Sequence, residues 1–123
     1  MKRNDLTGAV IGAAIEVHKE LGPGLLESIY EECLSKEIES RKIPFKRQVA
    51  IPIRYKGSKI SSDLRLDIII DGRLILELKS CEVLLPIHEA QLLTYLKLTK
   101  IDLGLLINFN VRVLKDGIKR LIM

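Results

Sequence analysis

Cysteine is scarce: Cys33 and Cys81 are the only two, far apart and in no metal-ligand spacing. That excludes a thiolate zinc or iron–sulfur site and leaves reduced core thiols. No apolar run reaches the ~18 residues that a membrane-spanning helix requires, so no membrane partner is expected. Residues 1–8 lack the apolar region and small-residue cleavage site of a secretory signal, and a cytoplasmic location is expected. Repeats, linkers and low-complexity segments are also missing. The formal charge of +4 is compatible with a polyanionic partner without pointing to one. What is present is 47% hydrophobic and 29% charged residues in a chain of 123. A single domain spanning 1–123 is expected, large enough to bury most of its apolar surface without disulfides.

The N-terminal half opens with helical periodicity. Leu6, Val10, Ala13, Ala14, Val17 and Leu21 recur at i, i+3/i+4 spacing, which predicts an amphipathic helix from about Asp5 to Leu21. Asn4 or Asp5 can cap its start. Gly22-Pro23-Gly24 interrupts it, and a second helical stretch runs from about Leu26 to Ser40. The two could be separate helices or one bent helix. Strands follow at Phe45–Ile53, Leu64–Ile70 and Leu74–Lys79, with Tyr55-Lys56-Gly57-Ser58 and Asp71-Gly72 as turns. Pro52, which has no donor N–H, favours an edge position. Pro86 opens a helix to about Thr99, and Leu103–Asn108 is a buried strand. Lys115-Asp116-Gly117 is a turn before a short final strand or helix, Ile118–Ile122. The expected architecture is α/β, a mixed β-sheet in αβββαβ order flanked by helices.

The Asp71-Gly72 hairpin carries the chemistry. Leu64, Leu66, Ile68 and Ile70 are apolar at even positions, as are Leu74, Leu76 and Leu78. A two-residue loop would pair residues of opposite parity and set Leu66 against Glu77, because a one-residue slip flips every side chain. A three-residue connection with Gly72 left-handed, or a bulge nearby, is therefore predicted. Asp67, Glu77 and Lys79 then share a face. Buried carboxylates and ammonium groups cost several kcal/mol each unless paired or metal-bound. Two carboxylates on neighbouring strands are hard oxygen ligands suited to Mg²⁺ or Mn²⁺, and the Leu78 backbone carbonyl could add a third oxygen. Lys79 would point at the same place, where it can hold or help deprotonate a water and offset phosphate charge. The competing reading is a Glu–Lys pair at a sheet rim.

Asp67 followed by Glu77-Leu78-Lys79 resembles the D…(D/E)xK signature of the PD-(D/E)xK nuclease superfamily. The element order resembles that superfamily's restriction-endonuclease-like core. Gly24-Leu25-Leu26-Glu27-Ser28-Ile29-Tyr30 resembles the motif of the GxxExxY protein family, classed with these nucleases. The likeness continues through Leu21–Gly24, His88–Leu96 and Leu114–Arg120, covering nearly the whole chain. It implies that Asp67 and Glu77 are the principal metal ligands, that Glu27 completes the site and that Lys79 is the catalytic lysine. Gln91 and Tyr95 match the QxxxY motif of RecB-like nucleases and would line the site and contact nucleic acid. The implied activity is divalent-metal-dependent phosphodiester hydrolysis, in DNA rather than RNA. The alternative is an inactive nucleic-acid- or protein-binding module that keeps the fold. Leu66 stands where the superfamily's proline would precede Asp67, and the four cysteines of its iron–sulfur members are missing.

Structural roles compete for several of these residues. Glu27 also suits a helix N-terminus, Tyr30 suits core packing, and Gln91 and Tyr95 could hydrogen-bond against the sheet. For His18 and His88 structural roles are expected over ligand or proton-carrier roles. Arg41, Lys42, Lys46, Arg47, Arg54, Lys56 and Lys59 form a basic group that is either a solvated face or a phosphate-tracking surface. With no room for a separate gripping domain, a homodimer or partner protein would assist binding.

Overall fold

The computed structural model describes residues 1–123. Its elements are α1 (Arg3–Leu21), α2 (Glu27–Ser40), β1 (Phe45–Tyr55), β2 (Ser58–Ile70), β3 (Leu74–Lys79), α3 (Pro86–Thr99), β4 (Leu103–Asn108) and β5 (Ile118–Ile122), with a 3₁₀ turn at Leu114–Gly117. The five strands form one sheet in the order β1-β2-β3-β4-β5. Only β3 and β4 run parallel, because α3 crosses over between them; the other neighbours are antiparallel. The sheet is therefore mixed, with helices on both faces, and the chain has the expected α/β, restriction-endonuclease-like architecture. Pro52 does lie on an edge strand.

Helices α1 and α2 cover one face of the sheet. Their buried stripe of Leu6, Val10, Ala13, Ala14, Val17, Tyr30, Leu34 and Ile38 packs on Ile68, Ile70, Leu74, Leu76, Leu78, Leu105 and Ile107. On the other face α3 packs Leu92, Tyr95 and Leu96 against Leu66, Ile75 and Leu106. Each fully buried aliphatic side chain contributes roughly 1.5–3 kcal/mol. Strands β3 and β4 are covered on both sides, which is why their sequences are almost continuously apolar.

Two separate helices resolve the alternative left open at Gly22-Pro23-Gly24. The start of α1 differs from expectation: Lys2 is the N-cap and makes no side-chain cap bond. Asn4 instead accepts a hydrogen bond from Arg120, and Asp5 lies in the first helical turn. The chain enters α1 as extended backbone at Lys2, so a capping side chain at Asn4 or Asp5 comes too late.

The hairpin turn follows the parity argument. Ile70 pairs with Leu74, Ile69 with Ile75 and Ile68 with Leu76, so the connection is the three residues Asp71-Gly72-Arg73. Asp71 (φ 51°) and Gly72 (φ 66°) are both left-handed, and Arg73 N–H closes the turn on the Ile70 carbonyl at 2.9 Å.

The assumption of one continuous alternation along β2 is corrected. Ile68 and Ile70 face α1 and α2, whereas Leu64 and Leu66 pack with the α3 layer. Strand β1 switches at the same level, from Phe45 on the α1/α2 side to Val49 and Ile51 on the α3 side. The β1–β2 register is unchanged across the switch: Arg47 pairs with Ile68 and Val49 with Leu66, while Gln48 and Asp67 between them drop out of the ladder. Gln48 has φ 48°. This left-handed residue rotates β1, and Asp67 is the matching point in β2. An alternation assumed regular cannot show this, because both sheet faces accept apolar residues.

Beyond the switch β1 and β2 run on together as a long arm. Strand β2 begins at Ser58 rather than near Leu64. Tyr55 pairs with Ser58 across Lys56-Gly57, whose φ values of 50° and 83° suit a type I′ hairpin turn.

Candidate active site

The candidate site begins where the β2–β3 ladder ends. After the Ile68–Leu76 pair no further pairing forms, although continued register would set Asp67 opposite Glu77. The carboxylates take over instead. Leu78 N–H donates to Asp67 Oδ2 at 2.7 Å, and Asp67 N–H donates to Glu77 Oε1 at 3.1 Å. Each carboxylate is held by a backbone donor of the opposite strand, a charge-assisted arrangement that fixes both side chains. The strands are wedged open, and the acids meet in the gap. The expected single face for Asp67, Glu77 and Lys79 is corrected here: Glu77 shares the alternation of Ile75 toward α3, while Asp67, at the face switch, opens toward α2, and the two acids meet only in the gap between the strands.

This proximity carries an electrostatic cost. Burial, then the neighbouring Asp67 charge, pushes Glu77 up to about 8; the Asp67 N–H and Lys79 oppose the rise. Asp67 is also raised, chiefly by burial, with Glu31 and Glu27 adding to it and the Leu78 N–H and Lys79 opposing it. Lys79 therefore acts on both acids through space, but it forms no ion pair with either. The simple Glu–Lys rim pair is not what this strand builds.

Glu27 is the first residue of α2, exposed, and lines a cavity of about 390 Å³ with Ser28, Glu31, Gln48 and Asp67. The structure brings it beside Asp67. It does not draw three acidic or imidazole side chains into one ion-holding cluster. Sequence reasoning missed the buried Glu31, one turn after Glu27, which accepts from Arg47 Nε at 3.1 Å and Gln48 Nε2 at 2.7 Å. Regular strand neighbours point to opposite faces; Arg47 and Gln48 both reach α2 because Gln48 is left-handed. The i, i+4 spacing of Glu27 and Glu31 is the signal that could have revealed this second acid.

Several contacts tie the α1–α2 turn to the end of β3. Tyr30 is fully buried, stacks on Phe109 at 4.4 Å, donates to the Gly22 carbonyl and accepts from Leu25 N–H. Ser80 Oγ donates to the Leu25 carbonyl. Phe109 N–H donates to the Lys79 carbonyl, and the buried Asn108 amide brackets the backbone of Cys81. Glu27 and Lys79 are thus carried on segments bonded to each other, and the turn–Glu27–Tyr30 spacing has a mechanical reason. Ser80 and Asn108 were not singled out from sequence.

A family model described as the PD-(D/E)XK nuclease superfamily matches residues 4–121. The chain belongs to that superfamily. No curated protein and no solved structure matches it significantly. In this PD-(D/E)XK protein, Asp67 and Glu77, both expected as site residues, meet at the opened strand pair, and Lys79 lies near enough to act on both charges.

Gln91 and Tyr95 lie on successive turns of α3, above Glu77. Tyr95 is buried and its hydroxyl is raised by burial, then by the Glu77 and Asp67 charges, with the Gln91 amide opposing. Tyr95 thus senses both carboxylates, while Gln91 is exposed. Neither histidine joins them: His18 Nε2 bonds the Val111 carbonyl at 2.8 Å, and His88 Nδ1 accepts from Leu85 N–H at 3.0 Å at the start of α3.

The donor set fits a hard divalent cation. Only one oxygen of each carboxylate is tied to a backbone N–H, which leaves Asp67 Oδ1 and Glu77 Oε2 for another partner. N–H and C=O of one strand residue point to the same edge, so the Leu78 carbonyl faces the gap that its N–H faces. Two carboxylates and a carbonyl, the remaining positions left to water and phosphate, match the way Mg²⁺ is usually bound. No helix is long and apolar enough to cross a membrane.

Proposed function

We propose that the protein is a divalent-metal-dependent nuclease that hydrolyses phosphodiester bonds in DNA. The observation that carries this reading is the pair of carboxylates, buried Glu77 and half-buried Asp67, crossed between β2 and β3, with Glu77 pushed up to about 8 and no cationic side chain bonded to either. Two such acids cannot both ionise cheaply unless positive charge joins them. Asp67, Glu77 and the Leu78 carbonyl would hold one Mg²⁺ or Mn²⁺, with Glu27 reaching the same site from α2. When bound, the ion polarises the phosphate and lowers the pKa of water.

The chain's own groups do the rest. Lys79, near both acids without being bonded to them, keeps its ammonium free to hold the attacking water and to offset charge growing on the phosphate. Glu27, on the open side of the cavity, can accept that water's proton. Gln91 offers an exposed amide to the substrate, and Tyr95 fixes the α3 side of the site behind Glu77. Ser80, Tyr30 and Asn108 keep the Glu27 and Lys79 segments in register. Labelled DNA incubated with Mg²⁺ or Mn²⁺ should be cut by the native protein, and Lys79→Ala and Asp67→Ala should abolish cutting. Equal activity in all three would refute the reading.

A further inference from the structure

The basic residues around β1 differ in what they meet. Arg47 is bound to Glu31, and Arg41 approaches Glu37. Arg54, Lys56 and Lys59 have no carboxylate partner, and all three lie on the arm formed by the distal halves of β1 and β2. From Pro52 to Asp63 every residue of that arm is exposed except the half-buried Ile53. Asp63, at the arm's base, is its only acidic residue. Tyr55 is 65% exposed at the tip, with Lys56 Nζ 5.4 Å from its ring centre. Such exposure in a long two-stranded ribbon contributes nothing to a core.

The position of the arm is as informative as its charge. Beyond the face switch at Gln48 and Asp67 the strands still pack Val49, Ile51, Leu64 and Leu66 on the α3 layer, and the ribbon leaves the body from Pro52 and Asp63, a few residues past the carboxylate pair. Its exposed β1 portion, Pro52–Tyr55, spans about 13 Å at the usual strand rise. The register shifts between Pro52 and Arg54, a bulge that bends the ribbon. The major groove of B-DNA is about 12 Å wide and 8.5 Å deep and admits a two-stranded β-ribbon. In A-form RNA that groove is too narrow and deep for side chains to read.

We infer that the β1–β2 arm is a duplex-DNA clasp: its tip lies in the major groove, with Arg54, Lys56 and Lys59 on the flanking phosphates, and it feeds the duplex past Asp67 and Glu77. The inference rests on the proposed nuclease reading for what happens at its root, but gripping needs no cleavage. The clasp supplies a hold on DNA from within this domain.

The test is fluorescence anisotropy of labelled duplex DNA, single-stranded DNA and duplex RNA against salt, without divalent ions, for the native chain and Arg54→Ala/Lys56→Ala/Lys59→Ala. A Tyr55→Ala variant accompanies them, and circular dichroism confirms folding of all. Removing three phosphate contacts should weaken duplex-DNA binding at least tenfold near 0.1 M salt and lower the log K–log salt slope by about 2–3. Native protein should prefer duplex DNA to both other ligands, and Tyr55→Ala should weaken duplex binding with the slope unchanged. An unchanged slope in the triple variant, or native binding equally tight to single strands or duplex RNA, would overturn the clasp. Cleavage assays on the same samples separate the two readings. Arm-dependent binding without metal-dependent cutting sinks the nuclease and spares the clasp, and cutting that ignores the arm does the reverse.

Discussion

Two groups of buried or half-buried acid lie beside one another in this protein, and their surroundings differ. Glu31 has its charge answered on the spot by Arg47 and Gln48. Asp67 and Glu77 receive only backbone N–H groups, and the nearest ammonium, Lys79, stands apart. The first arrangement is complete and holds α2 to β1. The second is short of positive charge by construction. The difference shows that burial of a carboxylate does not by itself mark chemistry; burial without a cationic partner is what the proposed site rests on.

The comparison can be broken most sharply by activity. Asp67→Ala or Glu77→Ala should lower metal-dependent DNA cleavage by about 10²–10³-fold or more, as loss of a main electrostatic group usually does. Glu31→Gln should lower it only severalfold. Initial rates on one labelled duplex distinguish these, and equal losses would erase the distinction.

Next in size is the pH dependence of metal-free stability. Glu77 is raised from its ordinary value of 4.5 to about 8, so the folded protein binds the extra proton over that range. The sign follows: this group's contribution is most favourable below about 4.5 and is lost as pH rises through about 8, with the raised Asp67 acting in the same direction. Since one pKa unit is ~1.4 kcal/mol, the loss amounts to a few kcal/mol. Urea unfolding with chelator between pH 5 and 8.5 should show native stability falling, while Glu77→Gln remains flatter and becomes the more stable protein at pH 8.5. A smaller effect is expected at the complete cluster. Glu31→Ala should cost about 1–2 kcal/mol at any of these pH values, because Arg47 is 39% exposed and its freed guanidinium can hydrate. Smallest, Ser80→Ala should cost about 1 kcal/mol by releasing the α1–α2 turn. It should also reduce cleavage a few-fold without changing metal affinity.

Much of this was legible in the residues. Helical spacing from Leu6 to Leu21 and the Pro86 start of α3 follow from periodicity and backbone chemistry. So does the three-residue turn at Asp71-Gly72, which parity alone demands. Parity also drew Asp67, Glu77 and Lys79 together, though on one face rather than in a gap between strands, and resemblance added Glu27, Gln91 and Tyr95 around them. The face switch was hidden because Leu64, Leu66, Ile68 and Ile70 are apolar whichever layer they meet. Its cause, a left-handed Gln48, carries no glycine to announce it. The arm was hidden by Ser58, Ser61 and Ser62, polar residues that read as loop but lie in an exposed strand. Glu31 was lost in a run of acids, since its partners Arg47 and Gln48 come from a different element.

The central claim is that the unpartnered acids, and not the partnered one, hold a divalent ion. Calorimetric titration of Mn²⁺ into native protein, Glu77→Gln and Glu31→Gln at pH 7 tests it directly. The native chain and Glu31→Gln should bind the ion with release of a proton, measured as dependence on buffer ionisation enthalpy, and Glu77→Gln should lose binding. Unchanged binding in Glu77→Gln, or none in the native chain, would contradict the account.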